Sequence, residues 1–243
     1  MPAWAYVDFK PKTGRLTLKQ NPSFPVITID GGAGVGKGVL RVAVASIMGW
    51  NQLDSGVLYR AAGLLCHEKN IPFSDIPSLV QQISMLDVRM DGEVIYLSGK
   101  NRTKELRSEQ AGNLASDISK ISEVRQVLLD FQLRCRVAPG LVAEGRDQGY
   151  VFDTPHRFFI TAKVETRAHW RMLQLHKLGL PTDYNAILHN MRQRDEADQT
   201  RAVSPLRPHP KAVHIDVTHQ PVERTTYQIV EAYYSYVARH YFT

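Results

Sequence analysis

The sequence predicts an α/β fold built on a doubly wound parallel sheet, and three observations carry that prediction. Short apolar runs recur along the chain, at 25–30, 140–145, 157–162 and 212–217. A glycine-rich turn separates the first run from a helical pattern, and helical patterns also follow the third and the last. The first of them carries no charge before Asp30, as a strand does when a parallel sheet is covered on both faces.

Taken in order, "PVITID" is a β-branched run without charge until Asp30, which predicts a buried strand. An apolar-periodic helix is expected from about Lys37 to Met48. "QLDSGVLYR" (52–60) predicts a short strand ending in Asp-Ser-Gly and then a helix. By itself, that pattern makes Ser55 a helix cap. "LDVRMDGEVIYLSG" (86–99) alternates and turns at Asp91-Gly92, which predicts an antiparallel hairpin inside an insertion over 71–105. "GLVAEG", "RFFITA" and "AVHIDV" predict further strands, with helices over "ETRAHWRMLQLHKLG" and "VERTTYQIVEAYYSYVARHY". "NMRQRDEADQTRAVSPLRPHP" (190–210) is dense in charge and ends in prolines. It predicts a mobile flap over an anionic ligand rather than a packed element. Residues 1–24 alternate around "PKTG" and fit either a small hairpin or a frayed leader.

The composition narrows the classes. With 30 basic and 24 acidic residues in 243, the net charge of +6 favours anionic partners. That excess alone suits a nucleotide pocket as well as a nucleic-acid surface. No basic arm and no aromatic-interleaved stripe is present, so nucleic acid is not the expected partner. No apolar run reaches the roughly 18 residues that a membrane span needs. The first 20 residues lack the apolar core of a secretory signal, and a reducing cytoplasm is the expected compartment. Cys66 and Cys135 stand in no metal or redox spacing and read as packed thiols. No residue is assigned as a metal ligand.

"GGAGVGK", Gly31 to Lys37, satisfies G-x-x-x-x-G-K directly after a strand and at the head of a helix. Glycines let several N–H groups converge on one phosphate, and the helix N-terminus adds partial positive charge. The loop Gly31, Gly32, Ala33, Gly34, Val35, Gly36, with Lys37, Gly38 and Val39, is therefore the expected phosphate cradle. Lys37 supplies a point charge to the β- and γ-phosphates. The hydroxyl that usually follows such a lysine is missing, since Gly38 and Val39 stand there.

The G-K-G step, "LDSGVLYR", "NLASDIS", "VRQVLLDFQ", "EGRDQG", "RAHWRMLQL" and "RDEADQTRAVSPL" occur in order over most of the chain. Together they resemble the bacterial cytidylate kinases, a group of P-loop nucleoside monophosphate kinases. The resemblance implies a P-loop kinase core over 25–70 and 106–243, an acceptor-binding insertion over 71–105 and a mobile lid at about 190–210. It implies ATP-dependent phosphorylation of CMP, and of dCMP, with Mg2+ and by a monomer.

Carried over by position, the acceptor site takes Ser55, Arg60, Ser116, Asp117, Arg125, Arg146 and Asp147, with Arg194, Asp198 and Arg201 from the lid. Asp147 is the expected reader of the cytosine amino group. Arg167 falls on the donor side, and Lys37, Arg146, Arg194 and Arg201 carry the expected catalytic charge. Glu144 ends a strand where it can orient magnesium-bound water. Gathered arginines suit phosphoryl transfer, which depends mainly on alignment and charge stabilisation. The chain departs from the family pattern at Ala33, Val39, Trp170, Ala197 and Gln199, mostly on the donor side. Two other readings remain at this level: a weakly active or inactive nucleotide-binding module, and a P-loop kinase of another small acceptor.

Overall fold

A computed structural model describes residues 24–177, 179, 182–200 and 204–241. Both readings of residues 1–24 fall, apart from Phe24, outside the described residues. In chain order the elements are β1 (Val26–Gly31), α1 (Lys37–Met48), β2 (Asn51–Asp54), α2 (Ser55–Glu68) and α3 (Ile76–Ser84). Then come β3 (Val88–Asp91), β4 (Val94–Leu97), β5 (Lys100–Asn101), α4 (Thr103–Leu106), α5 (Glu109–Ile118) and α6 (Ser122–Arg134). The remainder is β6 (Leu141–Gly145), α7 (Gln148–Val151), β7 (His156–Thr161), α8 (Val164–Lys177), α9 (Tyr184–Thr200), β8 (Val213–Asp216) and α10 (Val222–Tyr241).

The described residues fall into two compact units, one of 53–138 with Phe24 and one of 25–52 with 139–241. The main sheet is ordered β2-β6-β1-β7-β8, and the second unit holds β6, β1, β7 and β8 whole. β1 pairs in parallel with β6 and β7, and β7 pairs in parallel with β8. This central position explains the uncharged run of β1, whose six residues are all buried. α1 turns Leu40, Arg41, Val44 and Ala45 inward, a helical spacing. The core joins Ile27, Ile29, Val44, Val142, Phe158 and Ile160 to Ile229 of α10.

In the smaller unit α2 and α5 pack closely: a Cβ on Gly63 would stand 2.9 Å from the Leu114 Cβ, so only glycine admits this approach. The hairpin expected at 86–99 is present as β3 and β4, paired Val88 to Leu97 and Asp91 to Val94, with β5 as a third strand. Cys66 and Cys135 are both buried and free. Burial pushes their thiols up to about 11 and about 12.

Two expectations are corrected. The cap of α2 is Asp54, whose carboxylate accepts the Val57 N–H at 3.1 Å; Ser55 is instead the first helical residue. A carboxylate one position earlier meets the helix amides, leaving Ser55 in the first turn. The charged stretch 190–200, expected as a flap rather than a packed element, is the second half of α9, which packs on α8 with Met191 buried. Arg192, Arg194 and Glu196 are exposed on its outer face, where a high charge density is tolerated.

His156 of β7 is buried between Tyr233 and Tyr236 of α10, with ring centroids 4.6 and 4.9 Å away. Burial lowers its pKa from 6.5 to about 4, so the native protein holds the ring neutral. As pH falls from 6.5 toward 4, the unfolded chain takes up a proton that the folded chain refuses, and stability is lost across that window. Urea unfolding at pH 7 and pH 5 tests this. His156→Phe should make the acid loss smaller than in the parent, because every other titrating group is shared.

Candidate active site

In doubly wound sheets ligands bind beyond the carboxyl ends of the strands. In the larger unit, β1 ends there in the glycine loop and β6 ends in Gly145-Arg146-Asp147. Gly31 passes so near β7 that a Cβ would lie 2.3 Å from the Ile160 carbonyl oxygen. Gly36 caps α1 with φ 85°, a left-handed conformation that glycine adopts without strain. The loop thus brings the first amides of α1 to the head of the sheet, the arrangement that favours a bound anion.

Lys37 is buried and bends back over the loop. Its Nζ donates to the carbonyl oxygens of Gly31 at 2.9 Å and Gly32 at 2.7 Å. Both bonds hold the ammonium across the loop, within reach of a phosphate seated on the amides. Val39 is 52% exposed, so its apolar side chain is not there to fill a core. The loop departs from the usual pattern in chemistry rather than in packing.

α9 lies on the loop. The Met191 side chain covers Gly34, and Asp195 faces Gly32. Arg167 of α8 meets Asp195 through two parallel bonds, Nη1 to Oδ1 at 3.0 Å and Nη2 to Oδ2 at 2.5 Å. Nη1 also donates to the Ala33 carbonyl oxygen at 2.8 Å and Nε to that of Ala162 at 3.1 Å. Such bidentate pairing fixes the guanidinium against the loop. Arg146 likewise donates from Nε to Asp198 Oδ2 at 2.7 Å. Arg194 stands exposed on α9, and Arg201 lies outside the described residues. The larger unit thus holds the glycine loop, Lys37, Arg146, Arg167 and Asp198, with Arg167 and Lys37 bonded to loop carbonyl oxygens and Arg146 to Asp198.

Beneath the loop, Arg41 Nε donates to Glu144 Oε1 at 2.9 Å, with the two side chains 1% and 7% exposed. Nη1 of the same guanidinium bonds the Gln52 side-chain oxygen. Glu144, read from the sequence as an orienter of metal-bound water, thus stands in a buried ion pair. Asp30, at the end of β1, accepts the backbone N–H groups of Gln148 at 2.8 Å and Gly149 at 2.7 Å. Burial pushes its carboxyl up to about 7. The two N–H bonds pull it down, neighbouring Asp147 raises it, and Lys37 lowers it. Asp147 occupies the N-cap position of α7.

The smaller unit holds the other expected residues. Ser55 is buried at the first turn of α2. Arg60, one turn on, donates from Nη1 to the carbonyl oxygens of Leu106 at 3.0 Å and Ser108 at 2.9 Å. Its guanidinium spreads over Gly112 of α5. Arg125 of α6 lies 5.6 Å from the centroid of the Tyr59 ring, on the helix that carries Arg60. Ser116 and Asp117 are exposed near the end of α5, where Asp117 pairs with Lys120 at 2.8 Å.

Asp30, Arg41 and Asp195 are site-forming residues that sequence reasoning passed over. Asp195 had a signal, since Met191, Asp195 and Asp198 share one face at helical spacing. Asp30 and Arg41 had none, because their partners are distant along the chain.

The cytidylate kinase family model matches residues 27–237. A cytidylate kinase of Bordetella pertussis (strain Tohama I) is 41% identical over 209 residues, covering 85% of this chain and 94% of that protein. One from Photorhabdus laumondii subsp. laumondii is 40% identical over 205 residues, covering 82% and 90%. A solved structure of an uncharacterized protein from Eubacterium ventriosum aligns over 89% of this chain and 99% of that one. Its TM-score of 0.47 and identity of 13% are too slight to bear on function. With a family model matched over residues 27–237 and a relative 41% identical over 85% of its length, this protein belongs to the cytidylate kinase family.

Proposed function

We propose that this chain transfers the γ-phosphoryl group of ATP to the phosphate of CMP, and of dCMP, giving ADP and the cytidine diphosphates. The observation that carries the reading is the cluster on the glycine loop, where Lys37 crosses the loop carbonyls and Arg167 is bolted to Ala33. One acceptor-phosphate oxygen attacks the γ-phosphorus as its bond to the β–γ bridging oxygen breaks. The acceptor is already an anion at neutral pH and needs no general base. The chain's task is to align two anions and offset their repulsion.

Lys37 and the loop amides hold the donor phosphates. Arg146 and Arg194, with Arg201, balance charge on the moving group. Ser55, Arg60, Ser116, Asp117 and Arg125 hold the acceptor nucleotide, together with the elements of 71–105, and Asp147 reads the cytosine amino group. Asp198 keeps Arg146 in line. Lys37 and the loop amides would receive the donor phosphates with any magnesium they carry, an ion that would add positive charge against the donor. Glu144, which the sequence offers as an orienter of magnesium-bound water, is engaged by Arg41. No described helix is long and apolar enough to cross a membrane. A monomer suffices for this set.

ADP release measured with CMP, dCMP, UMP and AMP as acceptors tests the reading. CMP and dCMP should turn over fastest, and turnover of AMP without CMP would overturn it. In the same assay Val39→Thr should raise kcat/KM for ATP about tenfold by restoring a hydroxyl near the phosphates. Because Val39 is half exposed, the substitution removes no packing, and the melting temperature should hardly move.

A further inference from the structure

α7 is a single helical turn, Gln148–Val151, too short to hold its shape unaided. It follows directly on Arg146 and Asp147, so its placement decides where their side chains point. Both of its ends are clamped. At the amino end, the buried Asp30 carboxylate accepts Gln148 N–H on one oxygen at 2.8 Å and Gly149 N–H on the other at 2.7 Å. At the carbonyl end, the buried Arg157 guanidinium donates from Nε to the Gly149 oxygen at 2.8 Å. Nη2 of the same group reaches the Phe152 oxygen at 3.5 Å. An acceptor thus stands at the amino end and a guanidinium donor at the carbonyl end of one turn, each matched to the backbone groups there. The space around the turn is closed as well. A Cβ on Gly149 would lie 3.3 Å from Asp30, 3.4 Å from His209 and 3.5 Å from Arg157.

We infer that Asp30 is a positioning residue for the acceptor nucleotide: its two-amide grip on α7 sets the stance of Arg146 and Asp147. The inference rests on the reading of Arg146 and Asp147 as acceptor contacts. Asp30 is also the next-to-last residue of β1, the strand that delivers the glycine loop, so one carboxyl group ties that loop to the Arg146–Asp147 segment inside a single unit. Asp30 itself touches neither nucleotide in this scheme. It acts through the backbone of Gln148 and Gly149.

Asp30→Asn keeps the size of the side chain but turns an NH2 group toward an amide that needs an acceptor. The expected result is a rise of about tenfold in KM for CMP, with KM for ATP within about twofold of the parent. Arg146→Ala and Asp147→Asn should each raise KM for CMP. Adding Asp30→Asn to Asp147→Asn should then cost much less than it does alone, because the two act through one segment. Fully additive effects, an equal rise in both KM values, or an unchanged KM for CMP in Asp30→Asn would overturn the inference. If KM for CMP moves with Asp30→Asn but with neither Arg146→Ala nor Asp147→Asn, the acceptor assignment itself fails. Should Asp30→Asn not fold, Arg157→Gln loosens the other end of the turn. It must show the same selective rise in KM for CMP, and an unchanged value would overturn the inference.

Discussion

Arg41→Ala should cost about 3–5 kcal/mol of folding stability, the effect expected when one partner of a buried ion pair is removed. The loss arises less from the attraction that disappears than from what is left behind. Glu144 would keep a carboxylate in a site where its side chain is 7% exposed, without the guanidinium Nε now 2.9 Å away. Gln52 would lose its partner at the same time. In a chain of this size, each kcal/mol moves the melting temperature by about 2–4 °C, so the variant should melt roughly 6–20 °C lower by calorimetry. The double variant Arg41→Met with Glu144→Leu should recover most of that, because it removes both charges and keeps the volume. A loss below about 1 kcal/mol in Arg41→Ala would mean that water reaches Glu144, contrary to the burial seen beneath the glycine loop.

Lys37→Met should lower kcat by about a hundredfold to a thousandfold, the scale on which a preorganised charge aimed at a developing anion contributes. The ammonium sits across the loop through the Gly31 and Gly32 carbonyls, so little reorganisation is needed when the donor arrives. Lys37→Arg should not rescue, since a planar fork cannot enter a space shaped for a compact head group. CMP binding measured by calorimetry should be nearly unchanged, and the melting temperature should fall less than in Arg41→Ala. Turnover within tenfold of the parent would remove Lys37 from the donor site.

The parts of this fold legible in the sequence are those set by local pattern. β1 reads as buried because Val26 to Ile29 carry no charge. The hairpin reads from alternation around Asp91-Gly92, and the loop reads from its glycines. Long-range pairing left no such trace. Nothing near Asp30 announces that Gln148 and Gly149 come to it, and Arg41 looks like any helix arginine until Glu144 arrives from β6. α9 is obscured for a different reason: charge density suggests a flap rather than a packed element, while a single face holding Met191, Asp195 and Asp198 is enough to seat a helix. The expected residues on 53–138 show the same limit. Arg60 and Arg125 are placed by carbonyl oxygens and a ring that no motif specifies.

Both cysteines of the chain, Cys66 and Cys135, lie in the unit of 53–138, buried and with thiols that stay protonated at neutral pH. A thiol reagent can reach them only when that unit opens, and the unit carrying the glycine loop has no sulfhydryl to contribute. Labelling kinetics on the unaltered protein therefore report the openings of one half alone. Nature has left a clock in the half that holds Arg60 and Arg125, and adding CMP should slow it if the nucleotide binds there.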